Sequence, residues 1–105
     1  MSRRILLRPA AEHDLDAQAE YIATSSGGAV ALGFYRSAEQ TFQLIARRPG
    51  IGRRIPYRNP LLAEIWMFVM KGFPRHLIFY RISEDEIEVI RVIDGTRDIE
   101  NLFEK

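Results

Sequence analysis

The sequence predicts an α+β fold in which a helical hairpin packs on one face of an antiparallel sheet. Three observations lead to this. Apolar residues recur at helical spacing through the first half of the chain. Segments rich in β-branched and aromatic residues follow in the second half. One short β-prone segment precedes the helices, so the strands otherwise run together after them, which favours an antiparallel sheet with helices on one side.

Ile5-Leu6-Leu7, followed by Pro9, reads as a first strand at about residues 3–8. Pro9 suits the first turn of a helix, where its missing N–H costs nothing, and Glu12, Asp14 and Asp16 complement the helix dipole. Ala11, Leu15, Ala19 and Ile22 form one apolar stripe, giving a helix over about 9–24. Ser25-Ser26-Gly27-Gly28 carries turn and capping chemistry. A second helix then extends to about Arg47, with Ala31, Phe34, Ala38, Phe42 and Ile45 on its buried face and Pro49-Gly50 as its stop.

Residues 49–62 hold three prolines and two glycines and read as a loop with room for one turn of helix. Ala63 to Val69 is a strand candidate, Lys71-Gly72-Phe73-Pro74 a turn, and His76 to Ile82 and Ile87 to Ile93 the clearest strands, joined by a hairpin loop at 83–86. Arg97 to Glu104 reads as a short terminal helix. The order is β-α-α-β-β-β, and the 105 residues are expected to form one domain, 1–105. Ile78, Tyr80 and Ile82 alternate with Leu77, Phe79 and Arg81. Both faces of that strand are therefore partly apolar, and the face without helices is expected to receive a protein partner.

A hydrophobic content of 47% excludes disorder of the whole chain. The absence of cysteine excludes disulfides, thiolate metal sites and a cysteine nucleophile, and fits a reducing compartment. The apolar runs are too short for a signal-peptide core or a membrane span, so a cytoplasmic location without membrane contact is expected. Net charge is +1, yet it is uneven: residues 47–75 hold seven basic side chains against one acidic. Such a segment suits an anionic partner, although a solvated loop is the commoner outcome for a charge run.

Few residues offer chemistry. His13 and His76 lack neighbours at metal-ligand spacing, so neither a metal nor another cofactor is expected. His13 reads as a surface histidine, and His76 as a structural or surface residue able to titrate near neutrality. Asp14 and Asp16 face different sides of their helix, and helix-end electrostatics accounts for them. No phosphate-binding glycine loop or Gly-x-Ser-x-Gly elbow is present. What remains is a set of cations: Arg53, Arg54, Arg58, Lys71, Arg75, Arg81, Arg91 and Arg97. Arginine holds phosphate bidentately and stabilises developing negative charge. Within strands, however, Arg81 and Arg91 would pair with carboxylates, for which Glu64 and Glu88 are candidates. Tyr57 and Phe73 could stack on bases, whereas core packing suits Tyr80 and Trp66 better.

Four stretches resemble the ParE/RelE toxin superfamily in order and spacing: Pro9-Ala10-Ala11-Glu12-His13-Asp14-Leu15-Asp16 with Tyr21-Ile22; Arg48-Pro49-Gly50-Ile51-Gly52-Arg53; His76 through Ile82; and Ile90 through Asp98. The resemblance implies the fold derived above and the toxin role in a type II toxin–antitoxin pair, with growth inhibition and plasmid stabilisation as consequences. It also implies a cognate ParD-like antitoxin whose tail covers the exposed sheet face, where Leu77, Phe79, Arg81 and Trp66 are the expected contacts. The superfamily divides by mechanism. One branch inhibits DNA gyrase and has no known catalytic site; the other cleaves messenger RNA on the ribosome. The arginine of the RNA-cleaving branch is matched by Arg97, but six residues later, where that branch often has tyrosine, this chain has Phe103, which cannot exchange a proton. Arg53 and Arg54 are poor replacements for a lysine that must lose one. Both departures favour the gyrase branch, with Arg53, Arg54, Arg58, Lys71, Arg75 and Arg97 as target contacts and no catalytic residue. The alternative is a ribosome-dependent endoribonuclease in which Arg53, Arg81 and Arg97 stabilise phosphate and Tyr57, Tyr80 or His76 serves as the base. Direct DNA binding is not expected without the antitoxin, since net charge is nearly zero and no reading helix is evident.

Overall fold

Local sequence sets the helices, and long-range pairing sets the sheet. A computed structural model describes residues 2–55 and 64–95. The elements are β1 (Arg4–Leu7), α1 (Pro9–Ser26), α2 (Gly28–Arg47), a 3-10 turn (Pro49–Ile51), β2 (Arg53–Arg54), β3 (Trp66–Val69), β4 (His76–Ile82) and β5 (Glu86–Asp94). The expected terminal helix, and Tyr57, Arg58, Arg97 and Phe103, lie outside the described residues.

The helices begin and end much as their stripes predict. Pro9 occupies the start of α1, and Gly27 alone separates α1 from α2. The expected four-residue turn is therefore shorter, because Ser25 and Ser26 stay helical; the Ser25 hydroxyl bonds back to the Tyr21 carbonyl at 2.9 Å. Gly27 turns the chain at φ 101°, a conformation that side-chain-bearing residues rarely adopt.

The sheet order is β1-β5-β4-β3-β2. Pairings among β2 to β5 are antiparallel, but β1 lies parallel to β5, so the sheet is mixed. The two-residue strand β2 falls inside the stretch that reads as loop. Its proline and glycine content masked it, and its pairing with Met67 and Trp66 is a long-range contact. One face of the sheet carries Ile78, Tyr80, Ile87, Val89 and Val92 against Ala11, Leu15, Ala19, Phe34, Ala38, Phe42 and Ile45 from the helices. All five apolar positions predicted on α2 are buried, and on α1 Ala11, Leu15 and Ala19 are buried while Ile22 is partly so. Burial of each large side chain in this layer contributes about 1.5–3 kcal/mol.

The opposite face has a smaller apolar cluster. Ile65, Phe79 and Ile93 are buried there, with Ile55, Met67, Leu77 and Ile90 packed around them. A break in register between Phe79 and Tyr80 skips Ile90, so Phe79 faces Arg91 and Tyr80 faces Val89. Such a bulge re-aims side chains along the strand. Here Ile90 and Ile93 join the smaller cluster, while Arg91 reaches α1.

Candidate functional site

The basic exit of α2 is fixed by one tyrosine. The Tyr80 hydroxyl donates to the Pro49 carbonyl at 2.7 Å and accepts from the Gly52 N–H at 3.1 Å. Gly52 has no room for a side chain, since a Cβ would lie 2.4 Å from that hydroxyl and 2.7 Å from the Met67 carbonyl oxygen. The tether holds the 3-10 turn to the sheet and delivers Arg53 and Arg54, both exposed, to the edge strand β2. Arg54 lies 3.7 Å from Glu64. Burial raises the Tyr80 phenol above its ordinary value, and its hydroxyl is engaged as both donor and acceptor. It is thus poorly suited to act as a base.

A second fixed point joins α1 to β5. Asp14 is buried, and its carboxylate accepts from Arg91 Nε at 2.7 Å, Arg91 Nη2 at 2.9 Å and the Val92 N–H at 3.0 Å. The hydrogen bond to Asp14 raises the Arg91 guanidinium further above its already high value. This corrects two sequence expectations. Asp14 is not a helix-end charge but an internal ligand of the sheet, and the partner of Arg91 is neither Glu64 nor Glu88. Glu88 instead binds Arg8 at 2.6 Å. A signal was present: Asp14 and Gln18 follow Ala11 at i+3 and i+7, on the stripe that enters the core.

Gln18 organises the third point. Its Nε2 donates to the Val92 carbonyl at 2.7 Å, and its Oε1 meets His76 Nδ1 at 2.5 Å. A carbonyl oxygen only accepts, so the amide nitrogen must face Val92 and the amide oxygen must face the histidine. His76 Nδ1 therefore carries the proton. Burial lowers the His76 ring below its ordinary value, with Arg75 also lowering it and Asp94 opposing, so the neutral ring with a bare Nε2 is favoured. The ring sits edge-on to Phe34, 4.9 Å between centroids. Beside it, the β3–β4 turn passes through Gly72 at φ 83°, and the buried Thr41 hydroxyl accepts from the Lys71 N–H at 3.2 Å. Lys71 and Arg75 are exposed on this turn, with Arg75 reaching Asp94 at 3.3 Å.

The cations read from the sequence accordingly form two groups. Arg53 pairs with Met67 on β3, whereas Lys71 lies four residues beyond Met67, about 13 Å away along an extended chain. The residues expected to meet an antitoxin are also divided. Trp66 stacks on Tyr80 with 6.4 Å between centroids and packs against the helix-backed core. Leu77 and Phe79 belong to the opposite cluster, and Phe79 has no exposed surface, so it is not the open contact expected. Arg81 stands across from Glu88 on β5. Among the described residues, no group of three or more histidines, cysteines or carboxylates is placed to hold a metal.

A family model for the ParE toxin of the type II toxin–antitoxin system parDE matches residues 5–99. The chain belongs to the ParE toxin family. Twelve chains of solved structures also match it. One of them, described as the chromosomal ParDE toxin–antitoxin system from P. aeruginosa, has 16% identity and a TM-score of 0.72, covering 89% of this chain and 96% of its own. At that identity the likeness concerns the fold. Comparison with curated proteins returned no match. In this ParE toxin the α2 exit, the Asp14–Arg91 clamp and the Gln18–His76 pair all fall within the span of the family match.

Proposed function

We propose that this ParE toxin inhibits DNA gyrase by binding rather than by chemistry, and that a ParD-like antitoxin holds it inactive. The observation that carries the reading is the state of Tyr80. The tyrosine that crosses beneath the α2 exit spends its hydroxyl on Pro49 and Gly52, so it does not serve the positively charged edge of Arg53 and Arg54 as a base, and the Glu64 carboxylate beside Arg54 is ion-paired with it. Phe103, where the RNA-cleaving branch often has tyrosine, supports the same reading. Arg53, Arg54, Arg58, Lys71, Arg75 and Arg97 are the proposed target contacts.

The antitoxin follows from the family and from the ParDE assembly of the structural relative. Its proposed contacts are Leu77, Arg81 and the neighbouring sheet surface. A cytoplasmic location is part of the same proposal, since both proposed partners act there; among the described residues no helix is long and apolar enough to cross a membrane. The test is supercoiling of relaxed plasmid by purified gyrase, with transcripts from induced cells mapped in parallel. Loss of supercoiling with intact transcripts is expected. Unimpaired supercoiling at saturating toxin, with cuts inside translated codons, would transfer the protein to the endoribonuclease branch.

A further inference from the structure

At the Gly27 end of the helical hairpin, the end of α1, the start of α2 and the β3–β4 turn enclose a groove of about 600 Å³, within the range of small-molecule sites. Its apolar wall includes Tyr21, Val30 and Phe73. Tyr21 is 74% exposed, which leaves its ring open to a ligand. Arg75, His76 and Asp94 line it too, beside the polar side chains of Gln18, Ser25 and Ser26.

Each polar group has a defined capacity. His76 has the Gln18 bond at Nδ1, and its Nε2 has no hydrogen-bond partner among the described residues; no buried polar side-chain atom is left unsatisfied, so Nε2 is open to the groove or to solvent. A bare imidazole nitrogen accepts a hydrogen bond from an N–H or O–H group. Arg75 uses one of its five N–H donors on Asp94 at 3.3 Å, which leaves most of the guanidinium fork for an anion. Asp94 has a further interaction besides Arg75.

We propose that this groove binds a nucleotide, with its base against Tyr21 and Phe73, a base N–H on His76 Nε2, and its phosphate on Arg75. A ring, a neutral donor and an anion are joined in one molecule, in the combination the groove accepts. Stacking on an aromatic ring tolerates any base, and the guanidinium supplies the phosphate contact. A carboxylate ligand would satisfy Arg75 but leave Nε2 without a donor; a neutral aromatic would do the reverse. The nucleotide can arrive free or as an unpaired residue of a strand. The site lies apart from the Arg53–Arg54 edge and shares only Arg75 with the proposed gyrase contacts, so nucleotide binding is tested separately from gyrase inhibition.

The experiment is an amide NMR titration of the full ¹⁵N-labelled chain with AMP, a single-stranded adenine hexamer, adenosine, inorganic phosphate and N-acetyltryptophan. Saturable shifts centred on Tyr21, Val30, Arg75 and His76 are expected for AMP or the hexamer, about tenfold tighter than for adenosine or phosphate. The tighter of the two identifies the source. Tyr21→Ala and Arg75→Gln each weaken binding about fivefold or more while the rest of the spectrum is unchanged. No saturable shift by about 10 mM ligand would overturn the proposal. So would phosphate binding as well as AMP, shifts centred on Arg53 and Arg54, or N-acetyltryptophan binding more tightly than either nucleotide, the last pointing to a protein partner.

Discussion

Replacing Asp14 by alanine would leave the Arg91 guanidinium and the Val92 N–H facing the core side of α1 without their acceptor. Removing one member of a buried ion pair is costly because the other charge stays behind. Asp14→Ala is expected to lower unfolding free energy by about 3 kcal/mol in urea titrations, with Asp14→Asn less severe because its carbonyl can still accept from Val92. His76 is legible at the same scale through pH. Its folded-state ring titrates below the ordinary value of 6.5, chiefly because it is desolvated. As pH falls through 6.5 the unfolded chain takes up the proton first, so the contribution of His76 is complete above that value and declines as pH falls toward the lower folded value. The urea midpoint of the native chain should therefore fall more between pH 7.5 and pH 5.5 than that of His76→Gln, a comparison that cancels the titration of other groups. The sequence places Asp14 and Gln18 on the buried stripe of α1. Their partners are on β4 and β5, more than fifty residues away, which is why the chemistry of that stripe was invisible in its spacing.

Helices were legible as elements because their signal is local: the stripe of α2, its proline-glycine stop and Pro9 at the head of α1 all lie within a few turns of what they specify. Strands β4 and β5 were legible from composition. Three features were not. The parallel direction of β1, the two-residue strand β2 and the bulge at Ile90 are all properties of pairs of segments. The bulge in particular breaks the alternation that would carry Arg91 and Val92 to opposite faces. The α2 exit offers the element-scale prediction. Gly52→Ala drives a methyl group into the Tyr80 hydroxyl and the Met67 carbonyl, so either the tether or the β2–β3 pairing must yield. A loss of about 1–3 kcal/mol is expected, with faster amide exchange at Arg53 and Arg54 than in the parent. Unchanged exchange at those amides would show that the tether does not position β2.

For the molecule as a whole, a net charge of +1 says little, and its distribution says more. The basic central segment is divided by the sheet into an edge at Arg53 and Arg54 and a turn at Lys71 and Arg75, with different neighbours. Family membership was legible because its motifs are spread along the chain in fixed order. The contact surface was less so, because the face carrying Leu77 and Phe79 is partly closed by its own apolar cluster. The central claim is that the α2-exit edge acts by binding gyrase. The most direct measurement is a supercoiling titration comparing the native chain with Arg53→Ala/Arg54→Ala. Both side chains are exposed on a two-residue edge strand, so the double variant should melt within about 1 kcal/mol of the parent. The account predicts that about tenfold more of the variant is needed for half-inhibition. Equal inhibition by the two proteins would contradict it.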